Sequence, residues 1–280
     1  MSKHKMIFLI APPRSLSTAF LRMMQARGDF QIFNEPATAW FNQTHYPNSA
    51  AFYESLEPGG YKAIKETLFK ALEKGAVFVK EMSFAFEALI TEEPDILNYP
   101  NLHFAFILRN PHHCIISYYQ KLPKDYLDYM VPQLNNLCAH KPLFHSFEKV
   151  RAAAVHAPVI IQAEDLVHHT QQTVEAFCQQ MGINFKEASL NWESLGSNFE
   201  GQIWKENKKQ ALAYHWHGEA ILSKGFHQPK TYALDDRKYP SFTEIDNVAH
   251  RAICRAVYED YLKYYQVISA FAASESLSID

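Results

Sequence analysis

Residues 5–20 read KMIFLIAPPRSLSTAF and contain the first predicted strand of the chain. The run KMIFLI is typical of a buried strand, and the two prolines that follow end it. An arginine and three hydroxyl residues come next, directly before a helix-forming stretch. A strand, a tight loop and a helix N-terminus form an anion cradle, because free backbone N–H groups and the helix dipole face the bound group. The stretch therefore predicts an anion site with Arg14, Ser15, Ser17 and Thr18.

The composition argues against an anion-binding surface that extends over the whole chain. The chain has 280 residues, of which 48% are hydrophobic and 20% charged, so it can form one large core or two domains. A formal net charge of -3 gives no basic field over the whole chain. This balance argues against nonspecific nucleic-acid binding, so any anion site must be local.

Cysteine usage and the N-terminus indicate a cytoplasmic protein. The cysteines Cys114, Cys138, Cys178 and Cys254 are widely spaced and form no CxxC pair. This pattern favours reduced thiols over a disulfide framework or a zinc site. The apolar run at residues 6–10 is shorter than the roughly 7–15 residues of a secretory signal and the about 20 of a membrane span. We therefore expect no membrane association.

Strand-like and helix-like segments alternate over the first two thirds of the chain. Continuous apolar runs at residues 5–10, 30–33, 76–80, 103–108 and 158–162 are typical of strands buried on both faces of a parallel sheet. Helices are predicted at residues 17–27, 111–121 and 170–181, with Gly28 and Gly182 as C-terminal stops and Asn110 as an N-cap. The alternation predicts a doubly wound α/β fold whose ligands bind at the carboxyl ends of the strands.

The C-terminal third has a different pattern. Residues 184–240 are rich in Trp, Asn, Lys and His with little periodicity, whereas residues 243–271 predict one long helix. No linker separates the two regions, so we predict a single domain over residues 1–280, with an irregular segment folded over the sheet. The tail from residue 272 is predicted to be frayed, and the sequence leaves open whether it is also a targeting signal.

The loop after the first strand differs from the phosphate loop of the nucleoside triphosphatases. It contains neither the glycines nor the lysine of GxxxxGK[ST], which argues against a Mg·ATP site. No metal site is expected either, since the 14 histidines fall in no ligand-spaced pattern. A simpler interpretation also stands: Ser17 only caps a helix and Arg14 lies in solvent.

The stretch APPRSLSTAFLRMM resembles the 5′-phosphosulfate loop of sulfotransferases that use 3′-phosphoadenosine 5′-phosphosulfate (PAPS). It is most similar to a bacterial and fungal subset with a PPRSxST loop. The resemblance implies the sulfotransferase form of the P-loop-containing nucleoside triphosphate hydrolase-like fold, with a central parallel sheet of about five strands flanked by helices. Cofactor binding would involve Arg14, Ser15, Leu16, Ser17, Thr18 and Ala19. Arg14 stands where most members have lysine, and Leu16 where many have glycine, although leucine resists the positive φ that glycine permits.

Two further stretches fit the same resemblance. In FAFILRNPHHCIISYY, Arg109 ends a strand and Ser117 follows eight residues later, the spacing with which the family grips the 3′-phosphate. In YHWHGEAILSKGF, a Trp-His pair precedes Ser223, Lys224 and Gly225, which would close over the phosphosulfate or the adenine. A routine helix start for the first stretch and an exposed turn for the second remain the alternatives. Glu164 and Asp165 are expected to order a turn and the helix after it.

Sulfuryl transfer to an alcohol needs a base near the acceptor oxygen and positive charge for the leaving phosphate. No metal is required if lysine and arginine supply that charge. Glu35 is the preferred base, because its strand should end beside the first loop and similar sulfotransferases have a carboxylate there. Lys80 ends the third strand and is expected to stabilise charge on the transferring group. His215 or His217 is the reserve base, while a capping role for Glu35 and a solvated Lys80 are the alternatives.

The sequence thus predicts a PAPS-dependent sulfotransferase. The desulfonated cofactor 3′,5′-ADP (PAP) would be a product, and the acceptor would be a small molecule with a hydroxyl or amine. Two alternatives remain open: a sulfotransferase-like nucleotide-binding or regulatory protein without turnover, and an atypical P-loop kinase. Neither the acceptor nor the oligomeric state is indicated.

Overall fold

The computed structural model describes residues 3–46, 59–195, 210–226 and 242–276. Its strands form one parallel five-stranded sheet in the order β2-β3-β1-β4-β5. They are β1 (Met6–Ala11), β2 (Gln31–Asn34), β3 (Val77–Met82), β4 (Leu102–Leu108) and β5 (Val159–Gln162). The predicted α/β fold with a central parallel sheet is confirmed, and each of the five apolar runs forms a strand.

The central strand β1 is buried on both faces. Met6, Phe8 and Ile10 join one hydrophobic core, and Ile7 and Leu9 join a second core on the opposite face. Successive side chains of a strand point to opposite faces, so a strand covered on both sides must be apolar throughout. This explains why the first strand lacks polar and apolar alternation.

Helices cover both faces of the sheet. Those that the structure describes are α1 (Ser17–Ala26), α2 (Pro36–His45), α3 (Gly60–Lys74), α4 (Ser83–Glu92), α5 (Pro111–Tyr119), α6 (Leu127–Met130), α7 (Leu134–Leu137), α8 (His140–Ala153), α9 (Ala163–His168), α10 (Thr170–Gln180), α11 (Gln210–Leu222) and α12 (Val248–Ser276). The first core takes Leu68 of α3, Phe86 of α4 and Phe147 of α8. The second takes Phe20 of α1 and Phe177 of α10. None of the described helices is long and apolar enough to cross a membrane.

For α1, α5 and α10, the predicted helix boundaries agree with the structure to within two residues. Gly28 and Gly182 follow α1 and α10 with φ of 73° and 59°, the left-handed conformation typical of a C-terminal stop. Asn110 caps α5, since its side-chain oxygen accepts a hydrogen bond of 3.0 Å from the backbone N–H of His112. The starts and ends of these three helices could therefore be predicted from the sequence.

The C-terminal third differs from its prediction in three respects. Helix α11 lies inside the segment predicted to be irregular. The long terminal helix α12 is present but starts at Val248 rather than near residue 243. It continues to Ser276, so residues 272–276, which the sequence predicts to be frayed, are part of the helix. α11 has no single apolar stripe, because Ile221 packs in the second core and Trp216 packs against a third cluster that contains Ile115 of α5. Residues 196–209 and 227–240 of that segment and the last four residues of the tail lie outside the described residues.

The topology brings the predicted site residues to one edge of the sheet. β1 lies in the middle, between β3 and β4, and all strands run in the same direction. The loop after β1, Glu35 after β2, Lys80 near the end of β3 and Arg109 after β4 therefore share the carboxyl edge. In open α/β sheets this edge is where ligands bind.

Candidate functional site

The loop between β1 and α1 has a constrained backbone. Arg14 and Leu16 adopt positive φ values of 63° and 69°, which few residues other than glycine do. Leu16 nevertheless fits, because its side chain packs against the second core. Ser15 is buried and its hydroxyl donates a 2.7 Å hydrogen bond to the carbonyl of Pro12. The packing of Leu16 and the hydrogen bond of Ser15 thus fix the conformation of the loop. α1 begins directly after it with Ser17.

Arg14 reaches across the site to two other helices. Its Nε donates a 3.0 Å hydrogen bond to Ser117 Oγ on α5, and its Nη1 donates at 2.8 Å to the carbonyl of Trp216 on α11. Its Nη2 lies 3.4 Å from Glu219 Oε2. Arg109 is buried and donates from Nη1 to the carbonyl of Arg14. The structure thus brings Arg14, Arg109 and Ser117 together around one loop, so the interpretation of Arg14 as a solvent-exposed residue is wrong.

Glu35 and Lys80 form a buried ion pair. Lys80 pairs with Asn34 in the sheet register, so its side chain reaches the residue that follows β2. Their side chains are 1% and 0% exposed, which makes the alternative of a solvated Lys80 wrong. His217 Nε2 lies 3.7 Å from Glu35 Oε1, and His217 Nδ1 lies 3.1 Å from Thr18 Oγ1.

The carboxylate of Glu35 is therefore linked, through His217, to the first turn of α1. Of the two reserve histidines, His217 lies in this cluster. His215 instead contacts the carbonyl of Lys121 at 3.1 Å. Opposite charges at hydrogen-bond distance in a dry interior interact strongly, and such pairs are typical both of structural cores and of reaction centres.

Glu81 is a residue that the sequence analysis did not include. Its side chain is fully buried. Oε2 accepts a 2.7 Å hydrogen bond from the N–H of Ala37, and Oε1 accepts at 2.5 Å from the hydroxyl of Thr38 and at 2.8 Å from the N–H of Met82. Burial raises the pKa of Glu81 to about 7, although these hydrogen bonds oppose the shift.

A signal for Glu81 was present in the run AVFVKEM. Apolar residues on both faces of that strand predict that Lys80 and Glu81 are both buried, so each needs an internal partner. The alternation of side chains puts them on opposite faces, which is why Glu81 does not contact the same groups as Lys80.

Glu164 lies in the first turn of α9 and orders the start of α5, whereas the sequence predicts that it orders its own turn and the helix that follows. Its Oε1 accepts a 3.0 Å hydrogen bond from the N–H of Asn110 and lies 3.2 Å from His113 Nδ1. Burial pushes the pKa of Glu164 upward, but the hydrogen bonds from His113 and Asn110 and the charge of Arg109 bring it below its ordinary value. The ionised carboxylate therefore supports the segment that begins with Arg109.

Ser223, Lys224 and Gly225 lie at the C-terminal end of α11. Ser223 Oγ donates a 2.8 Å hydrogen bond to the carbonyl of Ala220 and accepts one of 3.1 Å from Trp192 Nε1. The carbonyl of Lys224 accepts at 3.1 Å from the N–H of Trp192. These contacts fix the end of α11 against the segment around Trp192, while Trp216 and Glu219, further back on the same helix, contact Arg14.

The other predicted loop residues lie in the first turn of α1. Ser17 and Ala19 are buried there. Among the described residues, no group of three His, Cys, Asp or Glu side chains is arranged to hold a metal ion.

Comparison with known proteins gives weak likenesses. No protein-family model matches the chain. A curated relative, branched-chain-amino-acid aminotransferase-like protein 2 of Arabidopsis thaliana, is 25% identical over 227 residues; these cover 79% of this chain but only 36% of that protein. This chain therefore spans little more than a third of the relative's length.

Solved structures give a similar result. The sulfotransferase domain of the Synechococcus PCC 7002 olefin synthase has a TM-score of 0.45 and 14% identity, covering 93% of this chain and 96% of the other. The sulfotransferase domain from the curacin biosynthetic pathway has a TM-score of 0.44 and 16% identity, covering 81% of this chain and 85% of the other. Likenesses at this level carry no functional argument, so the function has to be argued from the site.

Proposed function

We propose that this chain is a sulfotransferase that transfers a sulfuryl group from PAPS to a hydroxyl or amine of a small acceptor. The observation that supports the proposal most is the direct contact between two sequence-distant motifs. Arg14, in the loop after β1, hydrogen-bonds Ser117 of α5, and Arg109 holds the backbone of Arg14. A nucleotide with phosphates at both its 5′ and 3′ ends needs two such anion sites side by side.

The proposed roles follow from the chemistry of each group. Arg14, the hydroxyls of Ser17 and Thr18, and the free N–H groups at the start of α1 would hold the phosphosulfate. Arg109 and Ser117 would hold the 3′-phosphate. Ser15 supports the loop backbone through its bond to Pro12.

The transfer itself would use the buried pair. Glu35 accepts the proton of the acceptor hydroxyl as the acceptor oxygen forms its bond to sulfur, and the bond from sulfur to the 5′-phosphate oxygen breaks in line. Lys80 and Arg14 stabilise the charge that develops on the departing phosphate. His217 lies between Thr18 and Glu35 and can exchange a proton with the carboxylate. Ser223, Lys224 and Gly225 would close the site from the end of α11.

Titration calorimetry with 3′,5′-ADP tests the proposal. We expect micromolar to submillimolar binding, and Arg109→Ala should weaken 3′,5′-ADP at least tenfold while changing 5′-AMP much less, because a charged hydrogen bond to one phosphate contributes about 1.5–3 kcal/mol. Arg151→Ala is the matched control, since Arg151 is a half-exposed arginine paired with Glu148 on α8. No binding at millimolar ligand would reject the proposal, and equal losses for both nucleotides would reject the 3′-phosphate assignment.

A second candidate is a nucleotide-binding protein without turnover. It is favoured by the existing contacts of Arg14 and Glu35, which are already paired with Glu219 and Lys80. Binding of 3′,5′-ADP with no sulfuryl transfer to a broad panel of alcohols and amines would support this candidate. Transfer that is abolished by Glu35→Gln would exclude it.

The relative from Arabidopsis thaliana is named as an aminotransferase-like protein. Aminotransferase chemistry uses a lysine that forms a Schiff base with its cofactor. Lys80, the buried lysine of this site, is instead paired with Glu35. The site therefore gives that activity no support.

A further inference from the structure

The start of α2 has an unusual arrangement of two carboxylates. Glu35 occupies the N-cap position of α2, where a Ser, Thr, Asp or Asn side chain commonly accepts a hydrogen bond from the first turn of the helix. Its side chain makes no capping hydrogen bond to the described first turn. The carboxylate is turned toward Lys80 and His217 instead.

Glu81 supplies the missing cap from a different element. Its carboxylate accepts from the N–H of Ala37 at 2.7 Å and from the hydroxyl of Thr38 at 2.5 Å, and both residues lie in the first turn of α2. These bonds satisfy helix donors that would otherwise be buried without partners. A carboxylate at the positive end of the helix dipole is also favourable. The adjacent strand β3 therefore performs the task that the N-cap residue usually performs.

The backbone of Glu35 is held in a conformation that needs such support. Its φ and ψ of 54° and 46° are left-handed, a region that non-glycine residues seldom occupy. The N–H of Glu35 donates a 2.7 Å hydrogen bond to the carbonyl of Lys80, which fixes the residue to β3 from one side. Glu81, the next residue of β3, fixes the start of α2 from the other side.

We propose that Glu81 is a positioning residue for Glu35. By capping α2, it removes the helix donors that would attract the Glu35 carboxylate and so keeps that carboxylate on Lys80. Lys80 and Glu81 are consecutive, and their side chains leave β3 on opposite faces. One strand thus holds both the side chain of Glu35 and the helix that follows it. The consequence for turnover rests on the proposed function, whereas the consequence for the conformation of Glu35 does not.

The decisive experiment compares crystal structures and kinetics of Glu81→Met with the unaltered protein. Methionine has a similar length but accepts no strong hydrogen bond, so the donors of Ala37 and Thr38 lose their partner. We expect the Glu35 carboxylate to move to the N–H of Ala37 and to leave Lys80. We expect kcat to fall at least 100-fold, while the dissociation constant of 3′,5′-ADP changes less than threefold. Glu81→Gln keeps one acceptor oxygen, so it should lose less activity, about tenfold.

Glu93→Gln is the control for general loss of a partly buried carboxylate, because Glu93 pairs with Lys65 away from this cluster. It should leave kcat within twofold. The proposal is overturned if Glu35 stays on Lys80 in the Glu81→Met structure, or if kcat and nucleotide affinity fall together. If Glu81→Met does not fold, the same structural criterion applies to Glu81→Gln, in which Glu35 should be displaced in at least part of the molecules.

The two proposals fail in different ways. If the unaltered protein transfers no sulfuryl group, the proposed function fails and the position of Glu35 in the variant structures alone decides the role of Glu81. If it does transfer the group but Glu81→Met is as active as the unaltered protein, the positioning role fails and the proposed function stands.

Discussion

At the scale of single residues, the site depends on a charge pair that is costly to separate. Glu35 and Lys80 are both almost completely buried. Removing two charges from water costs several kcal/mol per ion, and their attraction offsets this cost only while both are present. The net contribution of the pair to the free energy of unfolding is therefore smaller than the attraction between the two charges. Loss of one partner, however, leaves an isolated buried charge.

This argument gives a prediction for Lys80→Met. The variant leaves the Glu35 carboxylate near His217 but without the ammonium group of Lys80, and we expect the free energy of unfolding to drop by about 3 kcal/mol. The double variant Glu35→Gln/Lys80→Met should recover most of that loss, because no unpaired charge is left. Urea denaturation of the single and double variants measures both values. A double variant that is less stable than Lys80→Met would contradict the argument.

At the scale of secondary-structure elements, α11 joins two parts of the site. The helix contacts Arg14 through the carbonyl of Trp216 and the carboxylate of Glu219, and its C-terminal end packs on Trp192. Lys121, just after α5, also lies 3.3 Å from Glu219. An acidic side chain thus lies where Arg14 and Lys121 would otherwise present positive charge to an anion.

We therefore expect Glu219→Gln to strengthen the binding of 3′,5′-ADP. The carboxylate of Glu219 competes for Arg14, but it is 76% exposed, and exposed ion pairs contribute only about 0.2–1 kcal/mol. The gain should accordingly be about two- to fivefold in the dissociation constant, and it should shrink in high salt. Calorimetry measures it, with Glu148→Gln as the control because Glu148 pairs with Arg151 on α8. Weaker binding by Glu219→Gln would show that α11 must hold Arg14 for the site to form.

The elements differ in how far the sequence predicts them. Strands such as β1 could be predicted, because burial on both faces demands an unbroken apolar run. α1 and α10 could be predicted from their periodicity and from Gly28 and Gly182. α11 could not, because it packs between two apolar clusters and so has no single apolar face.

In the site, too, some features could be predicted from the local sequence, whereas others depend on tertiary packing. That Glu35 and Lys80 meet could be argued from the ends of β2 and β3 in a parallel sheet. The cap that Glu81 provides to α2 could not, since it depends on which helix covers that face of the sheet. The left-handed backbone of Leu16 also runs against local preference and is explained only by the packing of its side chain.

At the scale of the whole molecule, α12 connects the third cluster to the rest of the fold. Ile268 packs in the first core, whereas Tyr258 and Tyr261 pack in the third cluster. The ring of His140, the first residue of α8, stacks on Tyr261 with centroids 4.6 Å apart. His140 Nδ1 also lies 3.1 Å from the carbonyl of Cys138. A buried imidazole thus lies where α8 and α12 meet.

This imidazole should make the stability of the whole fold depend on pH. Burial lowers the pKa of His140 to about 4, against an ordinary value of 6.5, although hydrogen bonds oppose the shift. At residue 140 the folded state therefore binds fewer protons than the unfolded state between these two values, so the contribution of His140 to stability falls as the pH drops below about 6.5 and is constant above it. The contribution of His140 to this loss is about 2 kcal/mol between pH 7.5 and pH 5.

We expect His140→Phe to remove that contribution. Phenylalanine retains the stacking on Tyr261 and does not titrate, so residue 140 no longer contributes to the pH dependence of stability. Burial also lowers the pKa of His103 to about 4 and raises the pKa of Glu81 to about 7, so the fold retains pH dependence in the variant. The test is urea denaturation of both proteins at pH 7.5, 6.5, 5.5 and 5.0. From pH 7.5 to pH 5.0, the free energy of unfolding of the unaltered protein should fall by about 2 kcal/mol relative to that of His140→Phe. The reason is that unfolding lets His140 bind a proton that the buried imidazole does not bind. A constant difference would mean that His140 does not titrate differently in the folded and unfolded chains.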